Sequence, residues 1–331
     1  MPESSLHESA FVVDGLIISN FNPEIFECML AGGITAANCT CSIWENFRQT
    51  MDYIAQWKSW FHEHPKVLRQ VYCVQDIAKA KQEKRVGVIL GWQNTSAIED
   101  RLDYLQVFHE LGVRVVQLTY NTQNLVGSGC YESNDSGLSD FGRQVVKEMN
   151  RLGMVIDLSH VGAKTSADTI ELSSAPVCYT HIAPAALKAH PRNKTDEQLR
   201  MLVATGGFIG VTLYPPFMPK GSDSTLTDYV LAIEHVLGVA GEDRVGIGTD
   251  FAQRSGHRPS YWRDHPGYFT HDKGYSRRLV DLSQSTLPKD FQTLADYGNL
   301  TRAMETRGWN GALIRKVLGE NWMNYLQSVW H

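Results

Sequence analysis

The chain predicts an α/β fold of the (β/α)8 TIM-barrel type, and three observations point to it. Eight short runs rich in β-branched and apolar residues recur along its 331 residues, at 11–18, 33–41, 86–93, 113–119, 154–159, 176–180, 207–213 and 244–250. The segments between successive runs are long enough to cross back over a sheet, which parallel neighbours require. Polar residues gather where the runs end, and in a closed parallel barrel those C-terminal ends face the reaction centre while the strand interiors fill the core. One domain spanning 1–331 follows, because barrels of this kind routinely exceed the usual domain size.

Helix signals fill the intervals. Apolar residues at helical spacing run from Ser139 to Leu152, opened by an acidic first turn at Asp140. Thr195-Asp196-Glu197-Gln198 has the spacing of a capping box, and 227–237 carries a further helical pattern. No internal repeat or low-complexity linker interrupts the series. The irregular stretch 255–278, rich in Pro, Gly and Arg, reads as a cover over the barrel mouth.

The bulk numbers bound the function. With 43% hydrophobic and 20% charged residues the chain can bury a large core, and a net charge of -5 gives no electrostatic footprint for nucleic acid or an anionic membrane. A small diffusible substrate is the default partner. Residues 1–10 lack the basic flank and apolar stretch of a secretory signal, and no apolar run approaches the roughly 20 residues of a membrane span. Six scattered cysteines without a CxxC pair fit reduced thiols in a cytoplasmic setting. Cys39 and Cys41, two apart, could share one side of a strand and reach the site, with structural packing the favoured role. The aromatics Trp322, Tyr325 and Trp330 suit either a homodimer interface or packing on the barrel's own helices.

At the strand ends stand Gln93, Tyr120, Asn121, His160, His181 and Asp250. A lone histidine after an apolar strand is more often a hydrogen-bonded structural group, as at His109 or His235. His160 and His181 differ because they close successive runs with one grammar, Ile-Asp-Leu-Ser-His and Val-Cys-Tyr-Thr-His. Two histidines and an aspartate so placed could hold a metal and activate water. Asp250 follows Gly246-Ile247-Gly248-Thr249, where small residues permit close approach, and it could accept a proton from that water or simply cap the next turn. Arg192 offers a fork suited to a substrate carboxylate, or alternatively a surface ion pair.

The order of motifs resembles the renal (membrane) dipeptidase family of amidohydrolase-type, metallo-dependent hydrolase barrels. The likeness runs from Val13-Asp14-Gly15 to Gly319-Glu320-Asn321-Trp322. It is most specific in Gly137-Leu138-Ser139-Asp140-Phe141-Gly142, Ile156-Asp157-Leu158-Ser159-His160-Val161 and Gly248-Thr249-Asp250-Phe251. The resemblance implies hydrolysis of dipeptides with two bridged zinc ions, His160 and His181 as ligands of one metal, Arg192 as the carboxylate anchor and Asp250 as the proton acceptor. It also implies a dimer.

Other family positions differ here. Where the family has Asp-Gly-His-x-Asp, this chain has Asp14-Gly15-Leu16-Ile17-Ile18, and neither Leu16 nor Ile18 can ligate zinc. The bridging glutamate becomes Gln93, and the histidine that would steady a tetrahedral intermediate becomes Tyr120. The expected site is therefore a single divalent metal, zinc by ligand type, at His160, His181 and Gln93. Asp250 and Tyr120 would be catalytic, and Arg192, Tyr120 and Asn121 would meet substrate. Two other readings stay open: metal-independent or different chemistry on a small carboxylated amine, and a non-catalytic small-molecule binding protein.

Overall fold

Nine parallel strands are present in the computed structural model, which describes residues 5–253 and 287–330. They are β1 (Val13–Ile17), β2 (Ala36–Ser42), β3 (Leu68–Gln70), β4 (Val86–Trp92), β5 (Val113–Gln117), β6 (Val155–Asp157), β7 (Cys178–Ile182), β8 (Phe208–Val211) and β9 (Val245–Ile247). Pairing runs β1-β2-β4-β5-β6-β7-β8-β9, with β3 set beside β4 outside this path. The sheet closes on itself where Ile17 bridges Phe251 in parallel and Ile18 N–H donates to Phe251 O at 3.0 Å. All eight expected strands are found, and the fold is the (β/α)8 barrel. The added strand, Leu-Arg-Gln, is too short to show any alternation. The expected cover at 255–278 lies outside the described residues.

Both faces of the path strands are buried, which is why they read as near-continuous apolar runs. Local chemistry starts and stops the helices around them. Ser139 Oγ accepts from Gly142 N–H at 2.9 Å to open the helix Asp140–Leu152, and Gly153, at φ 65°, closes it. Thr195 and Gln198 form the expected reciprocal cap on Asp196–Ala204. The helix expected at 227–237 spans Leu226–Ala240, because Thr225 and Asp228 cap it from further upstream. His235, expected to be structural, sits 2.8 Å from Asp196 on the neighbouring helix.

The barrel floor is sealed from within the chain. Trp322, on the C-terminal helix Asn321–Val329, donates its Nε1–H to Ile247 O at 2.8 Å and packs on Phe208 with 4.3 Å between ring centroids. Tyr325 and Trp330 join the same buried cluster, with Val13, Ala36, Ile89, Val115 and Val155 from the strands β1, β2, β4, β5 and β6. These three aromatics therefore pack against their own barrel, which decides between the two roles open to them. Among the described residues no helix is long and apolar enough to cross a membrane.

Closure of the barrel rests on Asp14. Its carboxylate accepts from Leu16 N–H at 2.9 Å, Thr249 N–H at 3.0 Å, Thr249 Oγ1 at 2.6 Å and the Tyr297 hydroxyl. One buried side chain on β1 thereby holds the turn after β9 and the helix Tyr297–Thr306. Burial pushes the Asp14 carboxyl up from the ordinary range, and these hydrogen bonds pull against that. Tyr297→Phe removes one donor to a buried carboxylate and should cost roughly 1.5–3 kcal/mol in chemical denaturation. An unchanged midpoint would show that Tyr297 does not help hold the seam.

Candidate functional site

His160 and His181 meet at the mouth end of β6 and β7, with their Nε2 atoms 3.0 Å apart. Both rings are buried, and each is held from behind through Nδ1. His160 Nδ1 lies 2.7 Å from Asn121 Oδ1, an acceptor, so it carries the proton. His181 Nδ1 lies 2.7 Å from Thr180 Oγ1. The single hydroxyl proton of Thr180 is already given to Asp157 Oδ2 at 2.7 Å, so Thr180 accepts from His181. As a carboxylate Asp157 only accepts, and Ser159 N–H at 2.9 Å, Ser159 Oγ at 2.6 Å and Thr180 N–H at 2.9 Å, all pointing at its other oxygen, favour that ionised form.

With both Nδ1 atoms protonated, two Nε2 lone pairs face each other. Something positive between them would relieve that opposition. A proton is disfavoured, because burial, reinforced by the Arg192 and Lys194 charges, holds both imidazoles well below their usual basicity. Tetrahedral zinc–nitrogen bonds of about 2.0–2.1 Å put ligand nitrogens about 3.3 Å apart, close to this spacing. Hydrogen bonds from the second ring nitrogen to a fixed acceptor are how metal-bound histidines are oriented. Among the described residues no third His, Cys, Asp or Glu joins the pair in a metal-sized group.

Two cations lie alongside. Arg192 is fully buried; its Nη2 donates to His181 O at 2.6 Å and its guanidinium carbon sits 5.5 Å above the Phe217 ring. Among the described residues its Nε and Nη1 have no hydrogen-bond partner, and its burial rules out a surface ion pair. Lys194, also buried, donates to Val161 O at 2.7 Å, and burial brings its ammonium down to about 8. Asp250 follows β9 at φ 59°, a left-handed conformation costly for most side chains but tolerated by Asp. Its N–H is tied to Leu16 O at 3.0 Å, while part of its surface stays open. Desolvation raises its carboxyl to about 7; Arg192 opposes the rise, and Asp14 and Asp157 add to it.

The other expected residues take more particular places. The Tyr120 ring stacks on His160, with centroids 4.1 Å apart and planes at 20°, and meets Trp44 edge-on at 5.4 Å. Asn121, expected at the substrate, instead steadies His160. Gln93, expected beside the metal, donates its amide to Thr40 Oγ1 at 3.0 Å and makes no hydrogen bond to either histidine. Cys39 and Cys41 lie in the strand–helix layer rather than with the histidines. Burial pushes the Cys39 thiol up and the Cys41 thiol to about 12, so both favour the protonated form. Leu16 and Ile18 are buried, and Ile18 packs with Ile43 and Tyr120 in a small apolar cluster.

Four residues of this arrangement were not singled out in the sequence: Asp157, Thr180, Lys194 and Trp44. Asp157 and Thr180 carried a signal, since each stands within three residues of a strand-end histidine. Lys194 carried none, because lysine is ordinarily a surface residue.

Residues 20–268 match the family model described as membrane dipeptidase, peptidase family M19. The chain belongs to this family. A solved amidohydrolase from Pseudomonas aeruginosa is 49% identical, with a TM-score of 0.92 and 98% of each chain covered. An uncharacterised dipeptidase of Schizosaccharomyces pombe is 34% identical over 62% of this chain and 51% of its own length. Dipeptidase tcpJ of Claviceps purpurea is 30% identical over 79% of this chain and 55% of its own. The chain thus spans about half the length of these two curated relatives.

Asp250 makes a stability prediction as well as a chemical one. A carboxyl raised on folding is penalised increasingly as pH climbs from its unfolded value toward its folded one. Asp250→Asn should therefore raise Tm at pH 8, and the gain should shrink at pH 5. Equal gains at both pH values would contradict the raised carboxyl.

Proposed function

We propose that this chain hydrolyses a dipeptide or similar small amide with a free carboxylate, using one divalent metal ion at His160 and His181. The facing Nε2 lone pairs carry this reading, and membership of the membrane dipeptidase family supports it. Imidazole donors suit zinc. Such an ion, when bound, would acidify a water and polarise the amide carbonyl. The rest of the coordination shell falls to water and substrate.

The residues present do not fit the family's second metal. Leu16 and Ile18 have no donor atom, and Gln93, whose amide nitrogen donates to Thr40, offers only a neutral oxygen where a bridge between two cations calls for a carboxylate. No step is assigned to a second ion.

This chain's own groups divide the remaining work. The unpartnered Nε and Nη1 of Arg192 are suited to a carboxylate, which would also offset the charge of Arg192 and Lys194. Asp250 takes the proton as water oxygen bonds to the amide carbon, then delivers it to the departing amine as the C–N bond breaks. The Tyr120 hydroxyl donates to the developing oxyanion. Asn121, Thr180 and Asp157 keep the imidazoles in the ligating tautomer.

Metal analysis after purification should give one equivalent per chain, lost in His181→Ala. Turnover of an L,L- and L,D-dipeptide panel should stop on exhaustive chelation. Turnover that survives chelation but vanishes in Asp250→Asn would favour metal-independent chemistry. Ligand-induced thermal stabilisation without product under any metal supplement would favour a binding protein.

A separate prediction concerns pH. Since Asp250 must be ionised to accept a proton, kcat/KM should rise along a limb centred near pH 7. Asp250→Asn should lose that limb and about 100-fold or more in rate. An unaltered limb in the variant would place the proton acceptor elsewhere.

A further inference from the structure

A cavity of about 280 Å³ opens beside the barrel mouth between the loop after β1 and the helix Phe47–Glu63. Its wall combines four aromatic rings, from Phe21, Tyr53, Trp57 and Trp60, with neutral polar side chains and one carboxylate, Glu45. The rings are set at angles rather than stacked flat: Phe21 and Trp57 are 4.8 Å apart at 57°, and Trp57 and Trp60 are 5.0 Å apart at 88°. Neither the proposed hydrolysis nor the histidine pair uses any of these residues.

Glu45 is the informative member. Its Oε2 accepts from Ile43 N–H at 2.7 Å, Trp44 N–H at 3.0 Å and Ser42 Oγ at 3.4 Å, which holds the side chain still. Among the described residues no lysine or arginine pairs with this carboxylate, and its other oxygen accepts no hydrogen bond. Its field reaches the cavity wall: the Tyr53 hydroxyl is raised by burial first and by Glu45 second. A held carboxylate sharing a cavity wall with aromatic rings is complementary to a cation that is itself poorly hydrated, since aromatic rings attract positive charge. A hydrated metal ion would gain little there, because one carboxylate cannot replace its shell.

We propose that this cavity binds a small organic ammonium group, primary or methylated, with Glu45 as its counter-charge and the rings of Trp57, Trp60, Phe21 and Tyr53 as its walls. The volume lies at the lower edge of ordinary ligand pockets and suits a head group of a few heavy atoms. The cavity also adjoins the reaction centre's frame. Thr40, in its wall, accepts from Gln93, and Ser19 Oγ accepts from Gln253 N–H at 3.0 Å, three residues beyond Asp250. The inference stands apart from the hydrolase reading, because its test reads binding and not turnover.

The test titrates the full chain with tetramethylammonium chloride, following tryptophan fluorescence and Tm, with sodium chloride at equal ionic strength as the control. A saturable fluorescence change and a rise in Tm are expected with tetramethylammonium alone. Glu45→Gln keeps an oxygen for the Ile43 and Trp44 amides while removing the charge, and should weaken binding at least tenfold. Trp60→Leu should do the same. The neutral isostere 3,3-dimethylbutan-1-ol, tried on the unaltered chain, should bind at least tenfold more weakly than its trimethylammonium counterpart, choline. Equal affinity for the neutral and charged compounds, or no saturable response to either cation, would overturn the proposal even if a variant failed to fold.

Discussion

Asp157 sits at the end of β6 with four donors aimed at it, two from Ser159 and two from Thr180. Because it takes the one hydroxyl proton of Thr180, the Thr180 oxygen must accept from His181, and the His181 lone pair must point at His160. The character of the centre follows from that one buried carboxylate. Burial pushes Asp157 itself up, and the hydrogen bonds that oppose the shift are those that set the tautomer. A neutral residue at this position would leave Thr180 free to donate, and His181 could then turn its proton toward His160.

The same economy appears across the barrel seam. Asp14 closes the fold by holding Thr249, and Thr249 directly precedes Asp250. The left-handed turn that presents Asp250 is thus held by the interactions that complete the sheet. Close packing enforces it: a Cβ on Gly248 would come 1.8 Å from Thr180 O, so β9 can approach β7 there only with glycine. Asp250 and the histidines therefore belong to one rigid frame, joined through the Thr180 backbone. The cost is a desolvated carboxyl at Asp250, a penalty to stability typical of groups tuned for proton transfer.

Much of this was legible in the sequence, for physical reasons. Strands buried on both faces leave unbroken apolar runs, and a closed barrel brings their ends together, so His160 and His181 could be read as neighbours. The short β3 could not be read, because Leu-Arg-Gln has no periodicity and pairs only through its backbone. Nor could the part Asn121 plays: an amide in a loop at φ 63° has no pattern to show whether it faces ligand or supports a histidine. Gln93 was misleading in a similar way, since its partner Thr40 is 53 residues distant in the chain. The aromatic cavity was hidden because its walls come from a loop and a helix that the strand grammar does not order.

Ile18 packs with Ile43 and Tyr120, and Tyr120 lies flat on His160. One side of the histidine pair is thereby covered by the Tyr120 ring, where an ion bound as proposed and its water would be sparingly solvated. Anomalous diffraction at the zinc edge, on crystals of the zinc-supplemented protein, tests this account most directly. It predicts one peak in the centre, about 2 Å from Nε2 of both His160 and His181. A pair of peaks bridged beside Gln93, or none with the two rings still 3.0 Å apart, would contradict it.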